Sequence, residues 1–295
     1  MRPLWDVRGL KMIFVSTFLN GLTIAGYLFL MALGLNLSFG LMNIVNMSHG
    51  TMYLAGGFVG WTVLSKTGSW FLGLLTAGIS MGLFAFVEDF LFLRRARGNM
   101  TMETLITLSV SIIGADLIVG IWSGRTRQVK IPKLLQGAFP VGEFYFPKYN
   151  LFIILFAVLF GILFWYILKK TKIGMIIRAG VDNYEIVSTL GINIKLLFSC
   201  IFTLSGVLAG FAGMIGGTFQ NLVSGQDSTV MVYTLLIVII GGMGSFEGAI
   251  MGSLIIGMAF TFGSLLAPQF SQFLLFAPVA IVLVFSPHGI FGKGR

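Results

Sequence analysis

Residues 12–65 read MIFVSTFLNGLTIAGYLFLMALGLNLSFGLMNIVNMSHGTMYLAGGFVGWTVLS, without a single Asp, Glu, Lys or Arg. A membrane-spanning helix needs about 20 mostly apolar residues, so this stretch alone is long enough for two passes through a bilayer. A second charge-free run extends from Gly248 to Gly292. Across all 295 residues 57% are hydrophobic, 14% aromatic and 10% charged, against about 25% charged in soluble domains. A water-exposed surface cannot be covered with so little charge. Composition therefore argues against a soluble enzyme, a nucleic-acid binder or a disordered chain, and predicts an all-α polytopic membrane protein.

Working outward from that stretch, eight segments have the length and apolarity of spanning helices: 12–34, 70–93, 104–122, 149–168, 197–220, 229–243, 246–264 and 270–286. A ninth apolar run, 52–64, is shorter and is entered through Gly40, Asn43, Asn46, Ser48, His49 and Gly50. Polar breakers persist at membrane depth only where they face protein or a water-filled cavity. Residues 36–64 are accordingly expected to form a broken or re-entrant element. Arg2, Arg8 and Lys11 before the first segment resemble the start of a signal peptide, but the apolar stretch exceeds the 7–15 residues or so of a cleavable core, so it is expected to stay as a helix. A single transmembrane domain over 1–295 accounts for the whole pattern.

The net charge of +9 is explained by topology rather than by a nucleic-acid partner, since Lys and Arg collect in loops as the positive-inside rule requires. Arg94, Arg95 and Arg97 mark one cytoplasmic loop; Lys169, Lys170, Lys172 and Arg178 mark another. The intervening loop, 123–148, is then outside although it holds Arg125, Arg127, Lys130, Lys133 and Lys148. An amino terminus on the Arg94 side requires an even number of crossings before that loop. A half-helix at 52–64 satisfies this, and the same count returns Lys293 and Arg295 to the cytoplasm. Cys200, the one cysteine, lies in an apolar run and forms no internal disulfide.

Glycine is the second organising signal, with 39 residues concentrated in the apolar segments. Gly206, Gly210, Gly213, Gly216 and Gly217 have the small-residue spacing of close helix packing in lipid. At two places glycine accompanies polar residues in mid-segment: Asn36 to Gly60, and Gly241-Gly242-Met243-Gly244-Ser245-Phe246-Glu247-Gly248-Ala249. Paired interruptions in the two halves of a chain point to a transport path. The path candidates, chosen as polar residues in apolar surroundings, are Asn36, Asn46, Ser48, His49, Gln220, Asn221, Ser245 and Glu247, with Asp116 in mid-segment. An ionisable group at that depth ordinarily faces the bundle interior.

No catalytic constellation is present. The two histidines, His49 and His288, have no Cys or carboxylate at metal-ligand spacing. Gly292-Lys293 is followed by Gly294 and does not make a Walker A loop. The expectation is a transport chain with no cofactor, no metal and no ATPase site of its own. The hydrophilic stretch Lys169 to Lys195 predicts a short amphipathic helix from Asp182 or Asn183 toward Leu190, closed by Gly191.

Four ordered blocks carry a family resemblance. They are Ala32-Leu33-Gly34-Leu35-Asn36-Leu37 through Phe39-Gly40, Asn46 and His49-Gly50 to Gly56; then Thr171, Gly174, Arg178, Ala179, Asn183, Glu185, Gly191 and Ile192. Gly241-Gly242-Met243-Gly244-Ser245 with Gly248-Ala249 and Gly252 follows, and the last is Pro287-His288-Gly289-Ile290-Phe291-Gly292. Asp89, Arg94, Arg97 and Gly98 fit the first cytoplasmic loop. The chain resembles the permeases of branched-chain amino acid ABC importers, of the Liv-type H-subunit group. The resemblance implies ATPase coupling through 169–195 by Gly174, Arg178, Ala179, Asn183, Glu185 and Gly191. It further implies ATP used by separate cassette ATPase subunits, a second related permease, an extracytoplasmic solute-binding protein and residence in a bacterial or archaeal inner membrane. Departures from the pattern are Ile186 and Val187 where alanines are usual, Glu247 where proline is frequent, and Asp116 where an uncharged polar residue is typical. Leucine, isoleucine and valine lead the solute candidates; urea and short amides are carried by relatives. An ion-coupled secondary transporter is the rival reading, though only Asp116 offers the central carboxylate such a mechanism uses.

Overall fold

A computed structural model describes residues 7–42, 44–142, 144–182 and 193–292. Its helices are α1 (Val7–Met42), α2 (His49–Thr67), α3 (Trp70–Ala96), α4 (Met100–Trp122), α5 (Lys148–Lys170), α6 (Lys172–Asp182), α7 (Ile194–Gln220), α8 (Gln226–Gly241), α9 (Phe246–Leu266) and α10 (Ser271–Phe285). Seven of these are long and apolar enough to cross a membrane, and α8 is a shorter apolar helix. The eight segments read from the sequence coincide with these eight. The protein is a multi-pass, essentially all-α membrane protein. The one sheet among the described residues pairs two antiparallel strands, β1 (Ala138–Val141) and β2 (Phe144–Pro147), in the loop before α5.

α7 is the central helix, packed along α3, α2 and α1. Its glycines explain why. Gly206 faces the backbone of Met81, Gly210 lies between Gly56 on α2 and Ala77 on α3, and Gly213 sits against Tyr53 and Gly57. A side chain at any of these positions would separate the backbones. In lipid, helices associate through such close van der Waals contact, because apolar burial alone gives no advantage over lipid tails. α1 is also interior, with 78% of its apolar window buried, whereas α4 and α10 have only 11% buried and lie at the rim.

α1 runs parallel to α5: Asn20 meets Asn150, Gly26 meets Ile153 and Ala157, and Phe29 meets Gly161. Both helices therefore finish at the end of the bundle that holds Lys169 and Lys170. Arg94 reaches Ser199 near the start of α7 at this same end. We call it the basic end. The far end is marked by Tyr149 bonded to Ile215 and Trp70 bonded to Thr218.

This geometry corrects the expected topology. The run 52–64 is not a half-helix: α2 is continuous for 19 residues, about 28 Å at 1.5 Å per residue, close to the hydrocarbon thickness. The interruption is confined to the segment between Met42 and His49. Three helices thus precede Arg94, and the Val7 end of α1 lies at the far end, opposite the Arg94 loop. The basic residues of 123–148 also find a structural explanation. Arg127 pairs its backbone with Leu222 and stacks its guanidinium over Trp61, 4.6 Å from the ring centroid, fastening the loop across the far end. The helix expected from Asp182 toward Leu190 lies outside the described residues; the described part of that loop is α6, which rests against α5 and α1.

Lys11 and Arg95 are both exposed at opposite ends. In a Cys200→Ser background, Lys11→Cys and Arg95→Cys are expected to react with an impermeant maleimide from opposite faces of the membrane. Labelling of both from the same face contradicts the three-helix count.

Candidate functional site

Two interruptions of the bundle converge on the last three turns of α1. At the second, residues 242–245 between α8 and α9, Gly242 and Gly244 have φ of 98° and 79°. That left-handed backbone strongly favours glycine. Gly40 packs directly on Gly244, and Gly241 on Gly248. Asn36 closes the break from α1: its Nδ2 donates to Ser245 O at 3.1 Å and its Oδ1 accepts from Gly244 N at 3.0 Å. Ser245 caps α9 by accepting from Gly248 N at 3.0 Å. The carboxyl-terminal block docks here as well, with Ile290 N donating to Ile240 O and Phe291 N to Gly241 O. Glu247, the second residue of α9, pairs with Lys169 at the end of α5 at 2.8 Å, with both side chains half exposed.

The first interruption is closed differently and is more deeply buried. Asn46 Oδ1 accepts from Ser48 N at 3.0 Å, and Ser48 Oγ contacts Asn46 Oδ1 at 2.7 Å and Glu88 Oε2 at 2.9 Å. Met47 N donates to Thr107 Oγ1 on α4. Asn46, Ser48, Glu88 and Thr107 are all essentially inaccessible. His49, the first residue of α2, lies 3.0 Å through Nε2 from Met31 O and 3.4 Å through Nδ1 from Ser205 Oγ. A carbonyl can only accept, so Nε2 carries the proton and Nδ1 faces the Ser205 hydroxyl. His49 thereby ties the start of α2 to α1 and α7, with Gly34 making room for its ring.

A third polar centre braces the basic end. Asp89, fully buried at a π turn in α3, is contacted by Arg97, Arg94 and Ser199. Arg94 also donates to Ser199 Oγ at 2.8 Å, so α3 and α7 share one charged knot. A buried carboxylate flanked by two guanidinium groups is strongly held, and removing one partner leaves an uncompensated charge.

The structure brings Asn36, Ser245 and Glu247 together at one break, and Asn46, Ser48 and His49 at the other, with the α1 residues that meet them, Met31 to Gly40, all within about two and a half turns. Gln220 lies elsewhere, at the far end. Its Nε2 donates to Tyr27 OH at 3.0 Å and its Oε1 accepts from Gln226 at 3.3 Å. It lines an open cleft of about 410 Å³ with Ser224, Gln226, Thr229, Tyr233 and Phe260. Asn221 ends α7 with φ 69°. Asp116 is the correction: it does not face the interior but is exposed on the outer side of α4. Of the residues expected to couple to an ATPase, Gly174 is buried in α6 and donates through N to Thr171 Oγ1, and Ala179 is exposed on the same helix. Arg178 is part of α6, and Asn183, Glu185 and Gly191 lie outside the described residues. Glu88 and Thr107 were missed by the sequence reading. The adjacent carboxylates Glu88 and Asp89 near the end of an apolar segment are the signal by which Glu88 could have been found. No group of three or more His, Cys, Asp or Glu able to hold a metal occurs among the described residues.

A bundle of apolar helices, glycine-packed and interrupted twice where polar side chains meet, is the architecture of a multi-pass transport permease. Residues 17–283 match the family described as branched-chain amino acid transport system / permease component, and the chain belongs to that family. It is 25% identical over 299 residues to the high-affinity branched-chain amino acid transport system permease protein BraD of Pseudomonas aeruginosa, covering 95% of this chain and 96% of the relative. It is equally 25% identical to LivH of Escherichia coli, with the same coverage. A probable branched-chain amino acid transport permease protein LivH of Methanocaldococcus jannaschii is 29% identical over 90% of this chain and 88% of its own length. No solved structure matches the chain significantly.

The two polar centres make a ranked stability prediction. Asp89→Ala strands the Arg97 guanidinium and is expected to cost about 3–5 kcal/mol. Asn36→Leu leaves Gly244 N–H unpaired, at about 1–3 kcal/mol, while Ser245 O keeps only its bond from Ala249 N. Thermal unfolding in detergent should therefore place Asp89→Ala and Asn36→Leu well below an exposed control such as Arg95→Ala. Control-like melting of both variants contradicts the assignment.

Proposed function

We propose that this chain is the membrane-spanning subunit of an ATP-binding-cassette importer in the cytoplasmic (inner) membrane, carrying leucine, isoleucine, valine or a closely related small solute. A soluble binding protein delivers the solute outside. Separate cassette ATPases bind and hydrolyse ATP on the cytoplasmic side, and a second related permease completes the membrane part. The chain performs no covalent chemistry and binds no cofactor. The observation that carries this reading is the match of nearly the whole chain to the branched-chain permease family, and the paired helix breaks agree with it, since discontinuous helices are where transporters position their solutes.

The geometry suggests how nucleotide-driven motion reaches the breaks. α6 lies against α5 and α1 at the basic end. Lys169 at the end of α5 holds Glu247 just beyond the second break, and Asn36 links that break to α1. His49 continues the linkage to the first break. A push from an ATPase subunit on the 169–195 loop, where it reaches α6 and Lys169, is thus conveyed through contiguous contacts to both interruptions. The 169–195 loop itself serves as the ATPase-coupling element, with Gly174, Arg178, Ala179, Asn183, Glu185 and Gly191 as its coupling residues.

Reconstitution tests the function. Proteoliposomes holding the co-purified complex are expected to accumulate labelled leucine only with both ATP inside and binding protein outside; uptake by the permease alone, driven by an ion gradient, rejects the proposal. The relay has its own test. Lys169→Glu is expected to lower ATP-driven uptake with little loss of stability, since an exposed ion pair contributes at most about 1 kcal/mol. Adding Glu247→Lys should restore uptake. An uncoupling that the double reversal does not repair sinks the relay through this pair.

A further inference from the structure

With Glu88 ionised, the first break is one proton short. Three polar contacts meet there: Ser48 N with Asn46 Oδ1 at 3.0 Å, Ser48 Oγ with Asn46 Oδ1 at 2.7 Å, and Ser48 Oγ with Glu88 Oε2 at 2.9 Å. A serine hydroxyl has a single proton, and an ionised carboxylate only accepts. That proton would serve either Asn46 or Glu88, and the other contact would set two acceptor oxygens against each other. Turning the Asn46 amide over does not help, since Nδ2 would then face the Ser48 N–H, donor against donor. All three contacts are matched only when Glu88 carries a proton on Oε2 and donates it to Ser48 Oγ, leaving Ser48 to donate to Asn46.

The surroundings agree. Glu88 is buried, and its Oε1 has no hydrogen-bond partner among the described residues. An anionic oxygen in that position is an uncompensated charge, whereas the carbonyl oxygen of a neutral acid costs far less. Among the described residues no cation pairs with Glu88. Arg94 and Arg97 are engaged by Asp89, with Arg94 also on Ser199. On α4, Glu103 accepts from Gly98 N. On α2, His49 is committed to Met31 O and Ser205 Oγ, and Tyr53 faces Gly216. On α7, Lys195 and Cys200 are exposed. Residues 28–48 contain no titratable side chain at all.

We infer that Glu88 is held as a neutral carboxylic acid, and that its proton is the latch closing residues 44–48 onto α3 at the basic end of the bundle. Glu88 is thus a positioning residue: through Ser48 it holds Asn46 and the start of α2, next to His49. When the proton leaves, the Ser48 hydroxyl must turn to the carboxylate, and Asn46 Oδ1 keeps only the bond from Ser48 N. The first break then loosens while the second, closed by neutral Asn36, does not. The inference stands on this geometry and goes beyond the importer reading, which survives its failure.

The test compares the full chain with Glu88→Gln, whose amide can donate to Ser48 as the acid does but cannot ionise. An ordinary glutamate is ionised above about pH 4.3, so unfolding releases the Glu88 proton at neutral pH. Stability then falls as pH rises, by about tenfold in the folding equilibrium per pH unit for as long as the folded acid keeps its proton. Melting profiles in detergent are expected to diverge above about pH 5, the unmodified chain losing ground to Glu88→Gln with each pH unit. Parallel profiles overturn the proposal. Infrared difference spectra at neutral pH should show a protonated-carboxyl C=O band that Glu88→Gln removes; loss of a carboxylate band instead overturns it. If Glu88→Gln does not fold, Ser48→Ala gives the spectrum: the acid band is expected to persist at higher frequency, and an unmoved band overturns the Ser48 contact. The latch is read from a single cysteine at half-buried Met47 in a Cys200→Ser background. Its maleimide reaction should accelerate more steeply with pH when Glu88 is present than with Glu88→Gln, and equal pH dependence overturns the latch.

Discussion

Every peptide group at membrane depth must find a partner inside the protein, because hydrocarbon supplies none and each unpaired group costs several kcal/mol. This constraint explains why the bundle can be interrupted in only two described places. At each, a short polar side chain takes over the work of the missing helical turn. Asn36 supplies both a donor and an acceptor to the 242–245 backbone. Asn46 and Ser48, with Glu88 behind them, do so at the other break. Glycine is the necessary complement, since the Gly40–Gly244 and Gly241–Gly248 contacts leave no room for a side chain.

The same constraint makes α1 the keystone of the candidate site. Met31, Gly34, Asn36 and Gly40 fall within about two and a half turns and meet His49, Ser245 and Gly244 in order. Two interruptions that are remote in sequence thus share one rigid rod. A transporter must move its breaks together while keeping them sealed from lipid, and a single helix contacting both meets that demand. The Asp89 knot holds α3 and α7 together at the same end, where the charge density of the chain is highest.

Much of this was legible in the chain. Eight apolar helices followed from the 20-residue periods of charge-free sequence, and both breaks followed from glycine mixed with Asn, Ser and His in mid-segment. The family resemblance stood on four blocks whose reason for existing is now visible: three of them meet at the second break, where residues 36–40, 241–249 and 288–292 touch. The role of α2 was misread because its Ser, Thr, His and glycine content lowers its apolarity. That judgement ignores that α2 is walled by α3, α7 and α8 rather than by lipid. Glu88 escaped notice because, next to Asp89 near a helix end, it looks like an ordinary interfacial charge until Ser48 is placed beside it.

By itself the sequence determined that the chain crosses a membrane repeatedly, where it can break and to which family it belongs, because length, apolarity and glycine placement are local properties. Which polar residues meet, which end of the bundle the start of α1 occupies and which way Asp116 points were decided only by the tertiary structure. Those depend on how helices rotate and pair, and rotation is set by close packing between segments distant in sequence.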